Sequence, residues 1–224
     1  MKLEGKIINF LGDSITEGAG VRDIANNRYD NVICREYGLK AVNNYGIGGT
    51  KIAHQSVPSE KPRHDLCFCG RAYNTSTKAD IMVVYGGVND FYNGDAPIGE
   101  PTDTTPDTFW GGVNFLMTFL KERFEGKTVV FMTPARTFAG GRSDELPSIK
   151  PTKKPDAMPL LNYVEIIKAA GKTHGIPVLD MYHKLPINPN NEQDRKTYTI
   201  DGVHFNDEGH KIIAKTVADF LLSL

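Results

Sequence analysis

Apolar residues gather along this chain in short unbroken runs, separated by longer stretches where they recur every three or four positions. Lys6 to Leu11 (KIINFL) opens the series and reads as a strand. Arg28 to Tyr37 follows as a helix of weak periodicity, and Leu39 to Asn43 as a second strand. Ile81 to Tyr85 (IMVVY) is the clearest strand, a run bounded by Asp80 and Gly86-Gly87. From Pro106 to Phe124, Phe109, Val113, Leu116, Phe119 and Leu120 share one face of an amphipathic helix. Thr128 to Met132 (TVVFM) is a strand ended by Pro134, Leu160 to His174 a helix, and Ile176 to Leu179 a strand. Asp207 to Leu222 closes the chain as a helix.

Strands that are apolar throughout are buried on both faces. Alternating with helices, they predict an α/β chain whose parallel sheet is covered on both sides. Five β/α units are legible, with no internal repeat and no linker between two cores, so residues 1–224 are expected to form one domain. Two excursions rich in Gly, Pro and polar residues interrupt the pattern, Asn93 to Thr105 and Arg136 to Asp156. Both leave the carboxyl ends of strands, where open α/β sheets place their ligands. Solvated decoration is the plainer account of such loops.

Composition narrows the function. The 224 residues are 40% hydrophobic and 24% charged, an ordinary globular balance. A net charge of −1 offers no global field for nucleic acid or an anionic membrane. No apolar run reaches the roughly 18 residues that a membrane span needs. Ile7 to Leu11 is too short for a signal-peptide core and Glu4 precedes it, so a cytoplasmic location is the expectation. Cys34, Cys67 and Cys69 are an odd number, which speaks against a disulfide framework and suits a reducing compartment. Cys67 and Cys69 lack the second ligand pair of a structural zinc site, and packed or free thiols are expected there, with no metal.

Four short stretches carry the candidate chemistry. Gly12-Asp13-Ser14 ends the first strand abruptly; taken alone, Ser14 to Glu17 (SITE) fits a helix capping box. Asn44 to Thr50 (NYGIGGT) follows the second strand and lacks the spacing and lysine of a phosphate-binding loop. As a donor loop, its glycines let a backbone N–H approach a ligand closely. Gly86-Gly87-Val88-Asn89-Asp90 ends the third strand, an ordinary turn in isolation, with the Asn89 carboxamide able to donate. Asp201-Gly202-Val203-His204 precedes the last helix. Three residues apart, its carboxylate can accept from His Nδ1–H and leave Nε2 as a base. A simple turn with a surface histidine is the bland alternative. Each bland account is comfortable alone, but together they leave unexplained why all four stretches fall at one sheet edge.

Gly12-Asp13-Ser14-Ile15, Gly49, Gly87-Val88-Asn89-Asp90 and Asp201-x-x-His204 resemble, in that order, the four sequence blocks of the GDSL or SGNH hydrolases. The likeness runs from Phe10 to the final helix, with Ile15 where the family name has leucine. It implies a three-layer α/β/α, flavodoxin-like fold with a five-stranded sheet in the order 2-1-3-4-5, and esterase or lipase-like acyl hydrolysis without cofactor. By the same resemblance Ser14 is the nucleophile, His204 the base and Asp201 its partner. Ser14 N–H, Gly49 N–H and the Asn89 side chain form the oxyanion hole. Thr16 stands where a G-x-S-x-G elbow has its last glycine, so the α/β-hydrolase turn is not indicated. Glu17 is left as a cap for the short turn behind Ser14.

The leading expectation is a serine esterase acting on short acyl groups of a small molecule, acetyl foremost, on a carbohydrate among others. Acyl transfer to an alcohol uses the same residues, and lysophospholipase or thioesterase activity stays open. A flavodoxin-like binding module without activity is the alternative outside enzymology. Phe91, Tyr92, Phe109 and Trp110 are candidates to wall an acyl or sugar site, although aromatics in such stretches usually pack in the core. Arg136, Arg142, Lys150, Lys153 and Lys154 make one excursion basic, as a solvated loop or as a seat for an anionic group. His210 reads as structural or exposed, His174 as a cation favoured at a helix C-terminus, and His54 and His64 as residues bordering a pocket. The sequence leaves the oligomeric state open.

Overall fold

The unbroken apolar runs become the central strands of one parallel sheet. The computed structural model describes residues 1–149 and 156–224; Lys150, Lys153 and Lys154 of the basic excursion lie outside the described residues. The first half contains β1 (Ile7–Gly12), α1 (Ser14–Glu17), α2 (Ile24–Asn27), α3 (Tyr29–Glu36), β2 (Ala41–Gly46), α4 (Phe68–Arg71), β3 (Ile81–Tyr85) and α5 (Val88–Tyr92). Then come α6 (Phe109–Arg123), β4 (Thr128–Met132), β5 (Phe138–Ala139), β6 (Arg142–Ser143), α7 (Leu160–His174) and β7 (Val178–Leu179). The chain ends in α8 (Met181–Lys184), α9 (Glu192–Tyr198) and α10 (Asp207–Ser223).

The five-stranded sheet has the order β2-β1-β3-β4-β7, with every pair parallel. Within β3, Met82 and Val84 face one core, shared with Val113 and Leu116 of α6 and Val164 and Ile167 of α7. Ile81, Val83 and Tyr85 face the other, shared with Val32 and Ile33 of α3 and Ile213 and Val217 of α10. Both faces of β3 are thus sealed, which is why its sequence is apolar without alternation. Each large side chain so buried contributes about 1.5–3 kcal/mol. The architecture is the expected α/β/α sandwich.

Most boundaries shift by a residue or a few, and two strands and one excursion differ more. The second strand runs Ala41–Gly46, not Leu39 to Asn43, because Asn44, Tyr45 and Gly46 stay in register with Phe10, Leu11 and Gly12. It is an edge strand, only half-buried, so polar residues sit within it and hide its end from a hydrophobicity reading. The last strand is shortened to Val178–Leu179. The excursion after β4 contains a two-stranded hairpin, β5–β6.

Register places the site. Gly12 pairs with Gly46 on one side and with Tyr85 on the other, so β1, β2 and β3 end at one level. Asp13-Ser14, Ile47 to Gly49 and Gly86-Gly87 therefore emerge side by side at the carboxyl edge.

Candidate active site

Ser14 is the first residue of α1, directly beyond β1. A Cβ at Gly12 would lie 2.0 Å from Thr16 Oγ1, so only glycine lets α1 fold back this closely on the strand end. The capping-box reading does not hold. Asp13 is the N-cap, its Oδ1 accepting from Ile15 N–H at 2.9 Å. The Ser14 hydroxyl points elsewhere, and Glu17 turns away to accept from Gly48 N–H at 2.7 Å. Burial pushes the Asp13 carboxyl up to about 6, against the opposing pull of the Ile15 N–H and of His204. Its second oxygen has no hydrogen-bond partner among the described residues.

Ser14 Oγ lies 2.9 Å from His204 Nε2, across 190 residues of chain. His204 Nδ1 lies 2.6 Å from Asp201 Oδ2. The other oxygen of Asp201 accepts from the backbone N–H groups of Val203 (2.9 Å) and His204 (2.8 Å). Burial raises the Asp201 carboxyl, but the His204 ring and these N–H groups outweigh it and hold it at about 2. The bond to Asp201 raises His204 above its ordinary value, while desolvation opposes the rise. With Nδ1–H given to Asp201, Nε2 is left to accept from Ser14.

Local structure holds this turn rigidly. Thr199 and Phe205 form an antiparallel bridge on either side of it, and Gly202 N–H donates to Thr199 Oγ1. Gly202 C=O accepts from Phe138 N–H of β5, which ties the hairpin to the histidine turn.

The glycine loop comes up beside Ser14. A Cβ built on Gly48 would stand 3.4 Å from Ser14 Cβ. Gly49 has φ +77° and the His64 ring lies where its Cβ would be, 2.5 Å away, so no other residue fits there without rearrangement. The N–H groups of Ser14 and Gly49 make no hydrogen bond among the described residues. Asn89 belongs to α5 rather than to a simple turn, and Nδ2 donates to Thr50 O at 3.1 Å, with a second N–H left on that amide.

Several residues that the sequence assigns no part in this loop fix it. Asp90 accepts from Ile52 N–H (2.9 Å) and Ala53 N–H (3.0 Å). Arg71 donates to Tyr45 O, Gly12 O and Thr50 Oγ1, tying two strand ends and the loop together. Glu17 joins Gly48 to Arg63. Of these, only Asp90 stood within a recognised block.

The remaining sequence candidates divide. Phe91 and Phe109 are core residues packed edge-on against Tyr163; Phe109 stays in the core, whereas Phe91 also backs a cavity of about 240 Å³ with Tyr92, Arg142 and Leu146. Trp110 packs partly buried against the same core, and Tyr92 OH is paired with Thr137 Oγ1 at 2.8 Å. Arg136 lies over the Tyr182 ring and reaches Glu145. Buried His210 accepts from Tyr29 N–H and is lowered to about 4 by desolvation, so it is structural and not exposed. His174 is a correction: burial and Lys121 lower it, and its ring is bonded to Asn114, so the neutral form is favoured over the expected cation. His54 is exposed, whereas His64 lines a cavity with Gly49. Cys69 is buried, its Sγ within hydrogen-bond reach of Ile52 O and Gly112 O, and Cys67 is partly buried. Among the described residues no group of three or more His, Cys, Asp or Glu is placed to hold a metal, and no helix is long and apolar enough to cross a membrane.

A hydroxyl against an imidazole, the imidazole against a carboxylate, and nearby N–H groups can together accept a proton and bind a developing oxyanion. Residues 10–212 match the profile of the GDSL-like lipase/acylhydrolase family. One solved structure, 26% identical, covers 100% of this chain and 99% of its own, with a TM-score of 0.86. A protein from Lactobacillus plantarum, 25% identical, covers 98% of each chain with a TM-score of 0.80. An acetyl xylan esterase, 21% identical over 96% of this chain and 99% of its own, shares the fold at a TM-score of 0.63. No curated protein matches the chain in sequence.

Proposed function

The chain belongs to the GDSL-like lipase/acylhydrolase family, and on that premise we propose that it is a serine esterase that hydrolyses short acyl esters through an acyl-enzyme on Ser14. The observation that carries this reading is the continuous Ser14–His204–Asp201 hydrogen-bond chain. Ser14 Oγ attacks the ester carbonyl carbon as its proton passes to His204 Nε2. Charge developing on the carbonyl oxygen is met by Ser14 N–H, Gly49 N–H and Asn89 Nδ2. One such donor is worth about 3 kcal/mol in the transition state. The C–O bond to the alcohol then breaks and His204 returns the proton to the leaving oxygen. Water, deprotonated by the same imidazole, releases the acid.

Acetyl is the preferred acyl group in this reading, on a sugar hydroxyl among other alcohols. The fold shared with an acetyl xylan esterase supports the sugar. The character of the surrounding segments supports the short acyl chain. Between Thr50 and Lys78 the elements are brief, with α4 only four residues long, and the described part of the Arg136 to Asp156 excursion holds a two-residue-per-strand hairpin. None of these described residues forms an amphipathic lid helix, whereas each buried methylene of a long chain would need apolar cover worth about 0.8 kcal/mol.

The test is a series of 4-nitrophenyl esters assayed below their micelle concentrations. Acetyl and butyryl esters are expected to exceed decanoyl in kcat/KM by at least about tenfold, or about 1.4 kcal/mol. A kcat/KM that climbs steadily past eight carbons points to a lipase or thioesterase instead.

A further inference from the structure

Lys51 sits two residues beyond Gly49 and is only 4% exposed. Burying an ammonium is costly unless an opposite charge or several acceptors accompany it. Among the described residues Lys51 has no ion pair and no side-chain hydrogen bond. The backbone around it is fixed: Lys51 O accepts from Phe68 N–H, Thr50 O from Asn89, and the next two N–H groups are held by Asp90. The lysine is held in place by structure that also builds the candidate oxyanion site.

The side chain lines a cavity of about 500 Å³ that includes Gly49, so the space opens from the candidate oxyanion loop itself. The size suits a small ligand. Its other walls include His64, Gln55, Lys61, Glu60 and Asp95. Asp95 does not neutralise the lysine; its oxygens are taken by Ser56 and Val57 N–H groups and by the Ser56 hydroxyl. Glu60 is exposed to solvent. Asp65 is lowered by hydrogen bonds from Ser59 and only secondarily by Lys51. The His64 ring makes no hydrogen bond among the described residues and is lowered by desolvation and then by Lys51, so it is a neutral donor.

We infer that this cavity is a subsite for a carboxylate, and that the substrate is an ester carrying one such group beside its scissile bond. The chemistry of the walls selects a monoanion. The Lys51 ammonium at the cavity wall, with a neutral imidazole alongside and the Lys61 side chain standing out in solvent, matches a single charge, while a phosphate dianion calls for further cations held in the wall or a bidentate guanidinium. Arg63, the nearest guanidinium in sequence, is already paired with Glu17. The inference rests on the Ser14 esterase reading and names the substrate class for that site.

The test compares matched ester pairs in wild type and Lys51→Met. On the alcohol side the pair is 4-acetoxybenzoate and its neutral methyl ester. On the acyl side it is 4-nitrophenyl hydrogen succinate and 4-nitrophenyl butyrate. A Ser14→Ala blank is subtracted throughout. The readout is the ratio of kcat/KM for the anionic ester to that for its neutral partner. Lys51→Met is expected to lower that ratio at least tenfold in one pair, and the affected pair identifies which side of the ester bears the carboxylate. Should Lys51→Met not fold, benzoate is tested against wild type. It is expected to compete with methyl 4-acetoxybenzoate more strongly than benzamide does, and to lose that advantage in high salt. Unchanged ratios in both pairs, or benzoate no better than benzamide, overturn the subsite. Turnover that persists at wild-type rate in Ser14→Ala instead overturns the esterase reading itself.

Discussion

Replacing Ser14 by alanine is expected to lower kcat on 4-nitrophenyl acetate by at least about 10⁴-fold, in line with losses on removing the nucleophile of a serine triad. The fold should be untouched. The side chain is half-buried, and its hydroxyl is bonded to His204 at the surface of the sheet edge. Losing it should shift stability by less than about 0.5 kcal/mol, or roughly 1–2 °C in Tm for a chain of this size. A fluorophosphonate probe separates the enzyme from an inactive binding module. Wild type is expected to gain one covalent adduct, mapped to Ser14 by mass spectrometry, and Ser14→Ala none. The residual rate over water should not fall to zero, because the proposed oxyanion donors of Gly49 and Asn89 remain in the variant. Esterase activity within tenfold of wild type in the purified variant removes Ser14 from the mechanism.

The parts of the site that sequence makes legible are those set by local spacing. Asp201 and His204 lie three residues apart in one turn, and Asp13-Ser14 directly follows an apolar strand, so both could be read without knowing their partners. Arg71 and Glu17 could not. Arg71 reaches Gly12 across 59 residues and Glu17 reaches Gly48 across 31, and no periodicity encodes such contacts. Glu17 is moreover well spaced for a capping box, but Asp13 takes the N-cap position and Glu17 is engaged by Gly48 and Arg63 instead. His174 shows the same limit. A helix C-terminus favours a cation, but burial, and after it Lys121 brought in from α6, reverses the preference. The central strands are legible because burial on both faces leaves few polar positions, and the end of β2 is not, because an edge strand tolerates Asn44, whose amide bonds to Thr16 O and Asp30. Lys51 is illegible for a related reason: a lysine in a polar stretch looks solvated until the fold closes around it.

The second large effect is expected at Asp201. In Asp201→Asn the amide oxygen can still accept from the N–H groups of Val203 and His204, so the turn survives. The NH₂ group then faces His204 Nδ1 as a donor, and the ring must present that nitrogen as an acceptor. Its proton moves to Nε2, where it opposes the Ser14 hydroxyl instead of receiving its proton. A loss of about 10⁴ in kcat accompanied this tautomer error in a serine protease triad, and a loss of similar size is expected here. The pH profile gives an independent sign. Because Nε2 must be unprotonated to act, kcat/KM rises with pH through the His204 pKa. In wild type that midpoint is expected above 6.5, since the bond to Asp201 raises His204. Removing the carboxylate leaves desolvation as the main influence, and desolvation lowers it. The midpoint of the residual activity should therefore move downward in the variant. If Asp201→Asn keeps wild-type kcat/KM and midpoint while His204→Ala is inactive, Asp201 serves only the turn and His204 works without it.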